Sequence, residues 1–171
     1  MHRVISSFIL MTCLFSACAA LAQDDPLAAS ATCNFDEDKQ LVVQYQHIPI
    51  NLKKPLSTQV PMGKVWAPGG KPMSLFTNGP IQLGSRSLPV GAYTMFVIPN
   101  SKQWTLIVSK STDMSGAYDE KNDLVRFPME SGELPSPEGV FSVGFGHVAP
   151  DQCSLRIDLE KTGHFAIFQK K

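Results

Sequence analysis

The chain has 171 residues, 43% of them apolar, and its 15 basic residues balance its 15 acidic ones to a formal charge of zero. That profile excludes a disordered chain, and with no basic excess and no Lys/Arg cluster it excludes a nucleic-acid partner. The 13 prolines and 12 glycines favour short strands and turns over long helices.

The first element is a targeting segment. His2 and Arg3 make a short basic start, Val4 to Leu14 is mostly apolar, and Ala20-Leu21-Ala22 is a small-x-small cleavage site. Residues 1–22 read as a secretory signal peptide whose apolar run is too short to span a membrane. Ser16-Ala17-Cys18 offers an alternative, a lipoprotein box with a lipid anchor at Cys18, although Phe15 stands where that box takes an aliphatic residue. No later stretch reaches transmembrane length. The expected location is the periplasm or the outside of the cell, with a lipid-anchored envelope protein as the alternative.

Cleavage after Ala22 removes Cys13 and Cys18 and leaves Cys33 and Cys153. In an exported protein these two make one disulfide. Two buried free thiols are the other reading; compartment favours the bridge. It would close a loop of about 120 residues, worth roughly 4–5 kcal/mol in the chain-entropy model.

Residues 23–31 read as a flexible leader and residues 32–171 as a single domain. Thr32 to Phe35 is a short first strand, Asp36-Glu37-Asp38-Lys39 a polar turn, and Gln40 to His47 a strand with Leu41, Val43 and Tyr45 on one face. Prolines at 49, 55, 61, 68 and 72 forbid a helix in the next stretch. It reads as an irregular connection holding a short extended piece around Lys64-Val65-Trp66. Met73 to Thr77 is a strand, and a small hairpin turns at Gly84-Ser85-Arg86.

Leu88 to Lys110 holds the strongest pattern. Two runs rich in aromatic and β-branched residues flank Pro99-Asn100-Ser101-Lys102, which predicts a hairpin with a four-residue loop. Ile98 would then face Gln103, with Val97 opposite Trp104, Met95 opposite Leu106 and Tyr93 opposite Val108 on one face. Ser111 to Asp123 is a polar loop. Leu124 to Met129 is a strand that Pro128 marks as an edge, and Ser131 to Gly139 is a plain loop. Phe141, Val143 and Phe145 alternate in the next strand. From Gln152 to Leu159, Cys153, Leu155, Ile157 and Leu159 face in, while Ser154, Arg156 and Asp158 face out. Thr162-Gly163 turns the chain into a last strand, His164 to Gln169. About nine short strands with turns between them predict an all-β fold, an antiparallel β-sandwich or jelly roll.

Three segments carry a resemblance: Val60 to Gly70 (VPMGKVWAPGG), Leu88 to Lys110, and Gly116 to Met129 (GAYDEKNDLVRFPM). Together they resemble the bacterial family catalogued as domain of unknown function 2911, whose members are mostly exported. The likeness runs from about Val42 to Phe168. It implies a β-rich, sandwich-like domain and supplies no activity. Members often follow the Val-Trp pair with an Arg, a Gly and an Asn-Glu-like polar pair. Here Val65-Trp66 runs into Ala67-Pro68-Gly69-Gly70-Lys71-Pro72, so that polar set is missing. Tyr118, Asp119, Asp123 and Arg126 keep the later pattern.

The catalytic constellations are weak. His47, His147 and His164 have no metal-ligand spacing and sit at strand ends, so neither a metal site nor a cofactor is expected. There is no G-x-S-x-G elbow, and no residue is assigned a catalytic role. Trp66, Tyr118, Asp119 and Arg126 are the candidate ligand-binding residues, because they lie in or beside irregular segments. The alternatives are that the aromatics plug the ends of the sandwich and that Arg126 forms a structural ion pair with Asp119 or Asp123. The expected function is a non-enzymatic binding module of the cell envelope, taking an unknown small ligand or an envelope protein. An envelope hydrolase of carbohydrates or esters, and a structural or assembly module, are the alternatives.

Overall fold

The computed structural model describes residues 27–36 and 38–171; the signal-peptide and lipidation readings at residues 1–22 fall outside them. Alternating burial sets the strands. They run in chain order as β1 (Ala28–Asn34), β2 (Gln40–Gln46), β3 (Ile48–Pro49), β4 (Met73–Thr77), β5 (Ile81–Leu83), β6 (Arg86–Leu88), β7 (Gly91–Ile98), β8 (Thr105–Ser109), β9 (Asp123–Pro128), β10 (Glu130–Ala149) and β11 (Gln152–Lys170). They form two antiparallel sheets of order β1-β2-β4-β7-β8-β9 and β3-β10-β11-β5-β6, packed as a sandwich. The expected all-β fold is therefore what forms, with eleven strands among the described residues where about nine were expected. No helix among the described residues is long and apolar enough to cross a membrane.

The core lies between the sheets. Leu41, Val43, Leu75, Met95, Leu106 and Val108 from one meet Leu83, Phe141, Leu155, Ile157 and Phe168 from the other, all but fully buried. The Cys33–Cys153 disulfide is formed, across 120 positions of sequence, and ties β1 of one sheet to β11 of the other.

Four local expectations are corrected. The central hairpin pairs Ile98 with Thr105, Val97 with Leu106 and Met95 with Val108, a slip of two positions from the predicted register. A slip of two keeps every side chain on its face, so the predicted sorting survives although each partner changes. The residues flanking the turn are anchored to neighbours outside the hairpin. Trp66 exchanges both backbone hydrogen bonds with Val97, at 2.8 and 3.1 Å, and the Gly63 N–H donates to Pro99 O at 2.7 Å. Trp104 O instead accepts from Met129 N at 2.8 Å, so the connection grows to six residues.

The first strand begins at Ala28, inside the stretch read as leader, because Ala28–Cys33 pair with Leu41–Gln46 of β2. Ser131–Glu133, read as loop, pair with Thr162–His164 of β11, and the pairing resumes at Glu138 and Ser142 after register shifts. Ser154 and Asp158 point away from the core as expected, yet both are buried.

The last of these has its cause in a bend. A straight strand of 19 residues would span roughly 60 Å, but the Lys170 N–H donates to Asp151 O at 2.8 Å, at the opposite end of β11. The strand must therefore double back. It does so where the sequence predicts a turn: Glu160 has φ 52°, the sole positive value at a non-glycine among the described residues. A Cβ on Gly163 would sit 3.0 Å from both Asp158 Oδ1 and the Phe165 ring. Glycine is required there for that close approach, and the returning half of β11 covers Asp158.

Candidate functional site

Arg126 is the hub of a polar cluster at the open edge of the six-stranded sheet. It lies on β9, opposite Ile107 of β8. Its Nε donates to Asp123 Oδ2 at 2.7 Å, its Nη2 donates to the Tyr118 hydroxyl at 2.5 Å, and Nη2 lies 3.1 Å from Glu120 Oε1. The Tyr118 hydroxyl in turn donates to Asp123 Oδ2 at 2.6 Å. Burial, followed by that bond to a carboxylate, pushes the Tyr118 phenol up to about 12. The bond to Asp123 raises the Arg126 guanidinium further above its usual range.

The cluster is held by a polar row on the outer face of the sheet. Gln44, Ser74, Thr94, Ser109 and Asp123 stand opposite one another across five strands. Ser74, Thr94 and Ser109 are buried despite facing outward, and the 111–122 segment lies over Thr94 and Ser109. Two hydroxyls are spent on that cover, Thr94 Oγ1 donating to Ser111 O at 2.9 Å and Ser109 Oγ to Asn122 O at 3.2 Å, while Ser74 Oγ donates to Gln44 Oε1 at 3.3 Å within the row. Tyr118 packs edge-on against buried Phe96 with ring centroids 5.1 Å apart. Asp123 Oδ1 is buried with no hydrogen-bond partner among the described residues, a costly arrangement.

Beside the cluster lies an open cleft of about 450 Å³, lined by Leu83–Arg86 of the β5–β6 turn and by all of Asp123–Pro128. Side chains alternate faces along a strand, so a cleft lined by six consecutive residues sits against the strand's backbone edge. The hydrogen-bond pattern agrees. Met129 bonds directly to Trp104, so in an antiparallel ladder Phe127 and Val125 also bond to β8 and Arg126 bonds to nothing there. The Arg126 N–H and C=O therefore face the cleft. Pro128, which has no N–H to offer, falls at the next outward position.

The four sequence-predicted binding residues divide. Tyr118 and Arg126 touch. Asp119 caps the 3-10 turn Glu120–Asn122, its carboxylate accepting from Lys121 N at 3.0 Å, so of the two expected ion-pair partners Arg126 takes Asp123, with Glu120 in addition. Trp66 packs on the inner side, edge-on to Trp104 and Phe141 with centroids 6.4 and 5.4 Å away.

A family model described as protein of unknown function (DUF2911) matches residues 27–167. The chain belongs to this family. No curated protein and no solved structure matches it. After Val65-Trp66 the chain runs into Ala67-Pro68-Gly69-Gly70, and Gly70 comes close to the 111–122 cover. A Cβ on Gly116 would lie 2.5 Å from Gly70 O.

Sequence reasoning missed a second cluster. Ser131 Oγ and His164 Nδ1 share a 3.0 Å hydrogen bond, and the His164 ring stacks on Trp104 at 4.1 Å and 16°. They line a cavity of about 180 Å³ with Asn100, Lys102 and Glu160. His164 was expected at a strand end; the turn of β11 carries it inside instead. Burial lowers its pKa to about 4, so the imidazole is a weak acceptor for a serine proton near neutral pH.

Proposed function

We propose that this DUF2911 chain is an exported, non-enzymatic binding module of the bacterial cell envelope, and that it holds an extended segment of a partner protein along the β9 edge. The observation that carries this reading is the cleft lined by six consecutive β9 residues, with the Arg126 N–H and C=O turned into it. An unpaired strand edge recruits an extended peptide by adding it as one more strand. The added strand would lie with alternate side chains toward Val125 and Phe127 on the inner side and toward Arg126 on the outer side. A segment alternating apolar and acidic residues suits both. Pro128 limits the available edge to the N-terminal part of the strand.

The test uses a displayed library of random peptides selected on the purified protein, with the bound peptide mapped by amide chemical shifts. Shifts concentrated on Asp123–Phe127 and on Gly84–Arg86 are expected. Arg126→Pro removes an outward N–H without touching a β8 bond, so it should abolish binding, while Arg126→Ala keeps the N–H and should weaken binding only several-fold. Peptides that map to another face, or that bind Arg126→Pro as well as the parent, would overturn the reading.

A further inference from the structure

Away from the β9 edge, three metal-ligating side chains meet where the two sheets approach each other. Cys33 lies on β1, the outermost strand of the six-stranded sheet. Cys153 lies on β11, and His147 of β10 stands directly opposite it. Their donor atoms all fall within 4.8 Å of one another, and His147 Nε2 is 3.5 Å from Cys33 Sγ. The two sulfurs are joined, so no cation can sit there in this state.

The spacing is nevertheless that of a coordination polyhedron. With zinc–sulfur bonds of about 2.3 Å and zinc–nitrogen bonds of about 2.0–2.1 Å, the nitrogen–sulfur edge of a tetrahedron is roughly 3.5–3.6 Å. The Cys33–His147 pair already has that edge. The sulfur–sulfur edge is roughly 3.8 Å, which side-chain rotation reaches from Cα atoms 6.3 Å apart once the bond is gone. Two thiolates cancel the charge of a divalent cation, which suits a site whose cysteines are 4% and 0% exposed. Exposed His147 leaves the fourth position open to water.

We propose that Cys33, His147 and Cys153 form a site for a zinc-class divalent cation when the disulfide is reduced. Reduction takes two electrons and two protons from an external dithiol, which becomes a disulfide while the Cys33–Cys153 bond breaks. Binding the cation then releases the two thiol protons. The chain thus has two closed forms of the same corner, one covalent and one coordinated.

The purified protein, reduced with a dithiol and freed of it without oxygen, is titrated with Co²⁺ and then with Zn²⁺. One cobalt per chain is expected, with a thiolate-to-cobalt charge-transfer band that zinc displaces. Binding should weaken at least tenfold in His147→Ala and vanish in the oxidised protein. Zinc should also raise the melting temperature of the reduced protein and leave that of the oxidised protein unchanged. Two cysteines of an unfolded chain would also take cobalt, and the thermal shift and the histidine dependence exclude that. If reduction unfolds the chain, zinc must restore its far-ultraviolet dichroism. The proposal is overturned by equal cobalt affinity in His147→Ala and parent, by equal affinity in oxidised and reduced protein, or by zinc that neither stabilises nor refolds the reduced form.

Discussion

His164 sits 6% exposed between the Trp104 ring and the Ser131 hydroxyl, and that burial controls its protonation. Its pKa is lowered from 6.5 to about 4 because the imidazolium loses its water. A depressed folded pKa means that the unfolded chain takes the proton first. The stability this residue contributes is complete above pH 6.5 and is lost as the pH falls from there toward 4. The loss amounts to about 3 kcal/mol by pH 4. Asp158 opposes part of it, since burial raises its carboxyl and protonation there favours the folded state at low pH. Urea unfolding between pH 7 and pH 4 should show the decline, and His164→Gln should flatten most of it. An unchanged slope in that variant would mean that the titrating group lies elsewhere. None of this was legible in the sequence, where a histidine beginning a strand counts as a polar end residue. The signal that could have found it is Trp104, a ring placed on the same inward face as the strand that delivers His164.

The cover over the polar row makes its own demand at the scale of elements. Gly116 has φ 91° and its α-carbon faces Gly70 O, so an added Cβ would lie 2.5 Å from a backbone oxygen. The collision is with main chain, which cannot rotate away, and the backbone angle is one that other residues adopt at a cost. Gly116→Ala should therefore destabilise by about 2–4 kcal/mol and loosen the 111–122 segment, exposing Thr94 and Ser109 amides to faster hydrogen exchange. Melting and exchange measured on one sample check both. A variant as stable as the parent would show that the two segments do not bear on each other. The strands beneath were readable because their alternation is strict: Val97, Met95 and Tyr93 sort to one face whichever register is chosen, and Pro128 marks β9 as an edge. The register itself was not, since a slip of two leaves the alternation unchanged and the six residues of the turn carry no pattern that fixes their number. The candidate site was half legible for a similar reason. Tyr118, Asp123 and Arg126 meet, but the 3-10 turn after Asp119 diverts that carboxylate and brings in Glu120, and a turn of three residues leaves no pattern to read.

Over the whole molecule, the sandwich has two sheets that share a core, and one covalent tie joins β1 of the first to β11 of the second. Compartment and the inward parity of Cys153 predicted that tie from sequence. Its energetic role follows from chain length. Cross-linking positions 120 apart removes unfolded-state entropy worth roughly 4–5 kcal/mol in the chain-entropy model. Native stabilities of about 5–15 kcal/mol leave a reduced sandwich folded only by a margin. β1 is an edge strand of its sheet, hydrogen-bonded to β2 alone, so cutting the tie removes one of its few anchors. A Cys33→Ala, Cys153→Ala double variant should lose about 3–5 kcal/mol in urea unfolding, and its β1 amides should exchange before those of β7 and β8. If the loss is under 1 kcal/mol and β1 stays protected, the sheets are joined by core packing alone. If β7 and β8 open together with β1, the bridge stabilises the sandwich as one cooperative unit rather than by pinning its edge.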